Sequence, residues 1–158
     1  MGTRAEQFAA QFEATNDALI DAVQGCAEAD WQKRSTSEGW PIGVLAHHVA
    51  ISYAPIAGAV KTVAEGGTLP QLSQHDQAAT NAHHAEEHAH ITQQETLDAL
   101  RSTSADVAAF VRGLEDEQFT RTITAFGGRE MSVAQLVEHV VIGHPKQHLA
   151  SIQAALAS

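Results

Sequence analysis

Histidine is the residue type in which this chain stands out: ten occur, against one cysteine and one tyrosine. His144 and His148 are four residues apart in a stretch that carries Val133, Val137, Val140, His144, His148 and Ile152 at helical spacing. At ~100° per residue, both rings fall within about 20° of the centre of that apolar stripe. Side chains four apart stack one turn above each other, so the two imidazoles are placed to share one metal ion through ring nitrogens. Two core imidazoles with no obvious acidic partner leave polarity unsatisfied unless something binds them. The plainer alternative is a pair of hydrogen-bonded core histidines, because such pairs are also common on polar helices.

The same arithmetic sorts the other histidines. Ile42, Leu45, Val49, Tyr53, Ile56, Val60 and Val63 form a stripe. His48 lies about 100° from its centre, at the core boundary, and His47 about 160° away, which predicts a solvated side chain. His139 falls on the far side of its own helix and is also expected in solvent. His83, His84, His88 and His90 lie in a segment that has Glu86 and Glu87 among them and no apolar stripe. A solvated helix face is expected there, although His84 and His88 are again four apart and leave a second site open. Cys26, on the core face of the first helix, reads as a small buried hydrophobe and not as a nucleophile.

These side chains need helices to position them. Phe8, Phe12, Thr15, Leu19, Val23 and Cys26 recur at steps of three and four, which predicts a first helix from about Arg4 to Glu28. A second starts at Pro41, where proline wastes no backbone donor, bends at Pro55 and stops at Gly66-Gly67. Between Thr68 and His90 the pattern weakens to a loop, punctuated by Pro70 and Ser73, and a short helix. Thr92 to Glu95 is a capping box that opens a third long helix on Leu97, Leu100, Ser104, Val107, Val111 and Leu114. Thr120 to Met131, with Gly127-Gly128 inside it, is a small hairpin or an extended connection. Ser132 to Gln135 is a second capping box, opening the helix that bears His144 and His148. Four long amphipathic helices predict an all-α fold, a four-helix bundle. The long stretch between the second and third of them implies at least one crossover connection.

The 158 residues, 44% apolar and 18% charged, suit one domain over 1–158 and exclude disorder as the main state. A formal charge of −10 argues against a nucleic-acid or anionic-membrane surface and leaves a small molecule, a metal or a protein as partner. No apolar stretch approaches the ~18 residues that cross a bilayer. With a lone cysteine and no secretory pattern at the N-terminus, a cytoplasmic location is expected.

Two stretches resemble the DinB/YfiT-like superfamily of metal-binding four-helix bundles. That superfamily includes thiol-dependent S-transferases and the mycothiol-dependent maleylpyruvate isomerase. Gly39-Trp40-Pro41-Ile42 through His47-His48-Val49-Ala50 is similar to the family's tryptophan entering the second helix, followed eight residues on by a ligand histidine. Ser132 through His139, with His144-Pro145-Lys146-Gln147-His148, is similar to its final helix with the ligand pair. Many relatives carry a further histidine four before the pair. Here His139 is five before His144 and off register, and Pro145 inside the pair removes a helix hydrogen bond. The resemblance implies a DinB-like bundle with a His₃ site at one end, formed by His48, His144 and His148 and holding a divalent ion, zinc or nickel. It implies a metal-dependent S-transferase that activates a low-molecular-weight thiol toward a small-molecule substrate, or less readily a hydrolase, in a homodimer. The competing expectation is a non-catalytic stress-response or metal-buffering protein. Proton competition at three imidazoles is expected to weaken metal binding below the ordinary histidine pKa of ~6.5.

Overall fold

A computed structural model describes residues 2–70, 74–124 and 128–158, with the backbone alone at 74 and 75. Four long helical stretches form the bundle: α1 (Arg4–Gln24), α2 (Ile42–Ala64), α4 (Gln93–Arg112) and a composite C-terminal helix. Between α2 and α4 lies α3 (Gln74–Glu87); after α4 come α5 (Asp116–Phe119) and the strands β1 (Thr122–Thr124) and β2 (Glu130–Ser132). The C-terminal helix runs as α6 (Val133–Leu136), a π-helical segment (Val137–Ile142) and α7 (Gly143–Ala157).

Both α1 and α2 pack against α4 and against the C-terminal helix, and they scarcely touch each other. The two therefore sit diagonally in the bundle, and the crossover between them is made by residues 25–41. The stretch between α2 and α4 instead joins neighbours, its length being taken up by α3.

Local chemistry explains where the helices start and stop. Capping boxes at Thr3/Glu6, Thr92/Glu95 and Ser132/Gln135 satisfy amides that have no partner within the helix. The first helix ends at Gln24, four residues short of the expected Glu28, with Gly25 as its cap. The Gln93 side-chain amide donates to the carbonyls of Val23 and Cys26 just there. Asn16, not Thr15, faces the core of α1, and Tyr53 Oη donates to its Oδ1 at 2.8 Å. Cys26 is buried, as a small hydrophobe would be. The hairpin alternative for 120–131 is the one adopted, with Thr122 opposite Ser132 and Thr124 opposite Glu130. Gly127 and Ser73 lie outside the described residues.

The core is one cluster centred on Phe12, Leu19, Leu45, Val49, Leu100, Phe119 and Ile152. By length and a mean hydropathy of 1.3, α2 does meet the composition of a bilayer-crossing helix, contrary to the expectation that no stretch comes close. Much of its apolar surface is taken up in the bundle, where Ile42, Leu45, Val49 and Val63 are buried, while Ile51, Ala54 and Pro55 in its middle stay exposed. Every residue from 41 to 50 is buried, so the first turns of α2 are enclosed on all sides.

Candidate metal centre

His48 leaves α2 in this fully enclosed stretch, while His144 and His148 leave the first turns of α7. One potential ligand nitrogen from each ring lies within 4.8 Å of the other two. Ring centroids are 5.3 Å apart for His48 with either partner and 4.5 Å for His144 with His148. His148 Nε2 stands 3.1 Å from His144 Nε2.

The π-helical segment sets this geometry. Gly143 N–H reaches back to Glu138 O, a five-residue step, so one more residue is accommodated than in an α-helix. The buried stripe slips by one position: Val133 and Val137 are followed by Val141, Pro145, Leu149 and Ile152. The expected continuation through Val140, His144 and His148 is thus corrected. The histidine pair lies at the edge of the stripe, partly buried, where it faces α2 instead of filling mid-core. Pro145, which has no N–H to give, sits in the first turn of α7 and does not break it. His139 is exposed, as expected.

One residue of the site was not anticipated. Glu38, in the loop before α2, places Oε1 at 3.1 Å from His148 Nδ1, and Ser151 Oγ donates to the same oxygen at 3.1 Å. Ser35 Oγ donates to Oε2 at 2.6 Å. Burial pushes the Glu38 carboxyl up, but the hydrogen bonds from Ser35 and Ser151 and the neighbouring His148 outweigh it and hold the pKa below the ordinary carboxylate value. An ionised carboxylate only accepts, so His148 Nδ1 carries the proton and Nε2 presents its lone pair toward His144. A carboxylate holding the far nitrogen of an imidazole is the arrangement that fixes ligand histidines in metal sites. Gly39, at φ +74°, makes the turn that brings Glu38 back, and Ser35 N–H closes it on Trp40 O at 2.9 Å. Trp40 stands edge-on to His48, 5.4 Å between ring centroids.

The electrostatics favour neutral rings. Burial, then the neighbouring His144 and His148, lower the His48 pKa to about 4. Burial and His148 do the same to His144, also to about 4. His148 is lowered by burial against the opposing pull of Glu38. Imidazole must be neutral to bind a metal, so the triad is in its ligating protonation state at neutral pH. His144 Nδ1 is buried without a hydrogen-bond partner. Three imidazoles fit a zinc- or nickel-type ion and leave a coordination position open.

A second group lies alongside. His47, expected in solvent, is 8% exposed, and His84, expected on a solvated face, is 7% exposed. The single-stripe reading of α2 failed at His47 because α3 covers the side that a two-faced helix would give to water. His88 joins them, whereas His83 and His90 are exposed as expected.

An all-α bundle that gathers histidines from its second and last helices belongs to the class of helical bundles that build metal sites from facing helices. The sequence profile of the DinB superfamily matches residues 11–152, and the chain belongs to that superfamily. Among solved structures it is similar to YfiT from Bacillus subtilis, described as a probable metal-dependent hydrolase with an unusual four-helix bundle topology. The two share 16% identity at a TM-score of 0.78, over 99% of this chain and 89% of that one. It is also similar to the mycothiol-dependent maleylpyruvate isomerase, at 13% identity and a TM-score of 0.73, over 96% of this chain and 63% of that one. The sibling lethal factor precursor DfsB follows at 15% identity and 0.70, over 99% and 97%. No curated protein sequence matches. At these identities the likeness establishes the bundle fold.

Proposed function

We propose that His48, His144 and His148 hold one divalent ion, zinc or nickel, and that the chain is a metal-dependent enzyme that transfers a low-molecular-weight thiol to an electrophilic small molecule. The observation that carries this reading is the convergence of three ligand nitrogens within 4.8 Å, one ring being held by a carboxylate. The bound ion would supply Lewis acidity, lowering the pKa of a thiol at the open position. Three neutral imidazoles add no charge of their own to offset that of the ion. Glu38 holds His148 in one tautomer, and Trp40 walls the His48 side. In the transfer a carbon–sulfur bond forms as the bond from that carbon to its leaving group breaks; the leaving group takes the electron pair, and the thiol proton passes to solvent. Similarity to a mycothiol-dependent enzyme supports a thiol, and similarity to a probable metal-dependent hydrolase supports water as the competing occupant.

The test is the cobalt-substituted, untagged protein titrated with N-acetylcysteine and with glutathione. A thiolate-to-cobalt charge-transfer band that is absent from His144→Ala supports the reading. No band with either thiol, together with cleavage of an activated ester by the zinc protein, would turn the assignment to hydrolysis. Neither signal would favour a non-catalytic metal-binding protein, a reading to which the second group of histidines lends weight.

A further inference from the structure

The second group is built like the first from three imidazoles on two segments. His47 Nδ1 lies 3.0 Å from His84 Nε2, and their rings stack at 5.3 Å between centroids, 7° from parallel. His88 closes the group, 4.5 Å from His47 and 4.7 Å from His84 by ring centroid. A potential ligand nitrogen from each lies within 4.8 Å of the other two.

Hydrogen bonding alone does not account for this arrangement. The His47–His84 contact uses one nitrogen of each ring, and His84 Nδ1 is buried without a partner. Glu87 offers the group a carboxylate, but it is 60% exposed and lies 3.9 Å from His88 Nε2, at the limit of an ion pair. An all-nitrogen donor set suits zinc, nickel, cobalt or copper and is wrong for calcium or magnesium, which take oxygen.

The way α3 is held supplies an independent argument. Among its described side chains, His84 alone is buried; the rest are exposed or intermediate. A helix of this length ordinarily docks through an apolar stripe. Here the inward contact is an imidazole set against an imidazole on α2.

We infer that His47, His84 and His88 form a second site for a divalent transition-metal ion, and that this ion pins α3 to α2. The site is separate from the first triad in its ligands and adjacent to it, because the rings of His48 and His84 lie 5.7 Å apart. Binding there ties the ordering of α3 to metal occupancy, as metal sites do when their ligands come from segments with little packing of their own.

The experiment is metal stoichiometry by equilibrium dialysis against zinc and elemental analysis, on untagged full-length protein. Wild type should hold two ions per chain, His88→Ala one and His144→Ala one. His88 is partly exposed and outside the core cluster, so its replacement leaves folding intact, which circular dichroism checks; His47→Ala should give the same count. In the His144→Ala background, zinc should slow amide hydrogen exchange selectively across 76–87, and adding His88→Ala should abolish that protection. One ion in wild type that is retained in His88→Ala, or no zinc-dependent protection of α3, overturns the inference. A single ion lost in His88→Ala but kept in His144→Ala would sustain this site and overturn the proposed function.

Discussion

Replacing Glu38 tests the proposed metal site without touching any of its three proposed ligands. Its Oε1 receives His148 Nδ1–H and Ser151 Oγ–H, each at 3.1 Å, and its Oε2 receives Ser35 Oγ–H at 2.6 Å. In Glu38→Gln the amide oxygen can keep the bond to His148, and the amide nitrogen can turn to Ser35 Oγ, so the ring stays oriented and only the charge is lost. In Glu38→Ala both go. The loop itself persists, because Ser35 N–H still bonds Trp40 O at 2.9 Å and Ile42 N–H still bonds Lys33 O at 2.8 Å. Loss of a carboxylate behind a ligand histidine weakens metal binding by about 10–100-fold, or about 1.4–2.8 kcal/mol. Glu38→Gln is expected near the lower end and Glu38→Ala near the upper. The assay is zinc affinity by chelator competition at neutral pH, with unfolding of chelator-treated protein as the control for fold. Wild-type affinity in Glu38→Ala would refute the reasoning, because His148 would then need no partner to present Nε2.

Chelator-treated protein should lose stability as pH falls. His48 and His144 drop from 6.5 to about 4 on folding, so between those values the unfolded chain binds more protons, and stability present above pH 6.5 is lost on the way to pH 4. At ~1.4 kcal/mol per tenfold change in proton affinity this is about 3 kcal/mol for one ring, and less than double that for the pair, which share a mutual repulsion. Denaturant unfolding across that range checks it, and a flat profile would contradict the buried, neutral triad. With His148 lowered as well, the same shifts move proton competition for the metal below the ordinary histidine range, so zinc should be retained on mild acidification that would strip it from three unperturbed imidazoles. Gly43→Ala should destabilise by about 1–3 kcal/mol, since its Cβ would lie 2.5 Å from Trp31 Cε2 in a packed contact; thermal unfolding followed by tryptophan fluorescence reads it. Tyr53→Phe strands the buried Asn16 Oδ1 and should cost about 1–3 kcal/mol in chemical denaturation, with the helical circular dichroism unchanged.

The fold was legible because its signals are local and periodic. Stripes at three- and four-residue steps and the boxes at Thr92 and Ser132 each depend on residues within a few turns. His48, His144 and His148 could be singled out on the same footing, by spacing and by resemblance. Glu38 could not: it sits in an aperiodic loop, 110 positions from the ring it holds, and only the folded chain brings them together. The phase of the last helix was lost at Val137–Ile142, since an α-helical count carries no term for an inserted residue. His47 was misread because one-stripe arithmetic assumes a wet back, whereas α2 is enclosed where it begins. The Ser35–Glu38 spacing before Trp40 was the only available hint of a held carboxylate, and many loops share it.

Adjacent histidines on one helix diverge by ~100°, so His47 and His48 necessarily look toward different neighbours, and two triads can share a single turn of α2. That economy has an electrostatic consequence. Two dications with ligand rings 5.7 Å apart repel each other, and the low dielectric around buried rings strengthens the repulsion. The triads are not equal before it. The first has an ionised carboxylate bonded directly to a ligand ring and little exposed to water, which offsets part of the charge of its ion. The second has Glu87, exposed and at the limit of contact, and Glu95, which is bound up in the cap of α4 and acts on His47 only through space. On the two-ion reading the first triad therefore fills before the second, and the second is more sensitive to salt, because its compensating charges are solvated. The docking of α3 follows the weaker site, which makes that helix the part of the chain whose order should track the supply of metal.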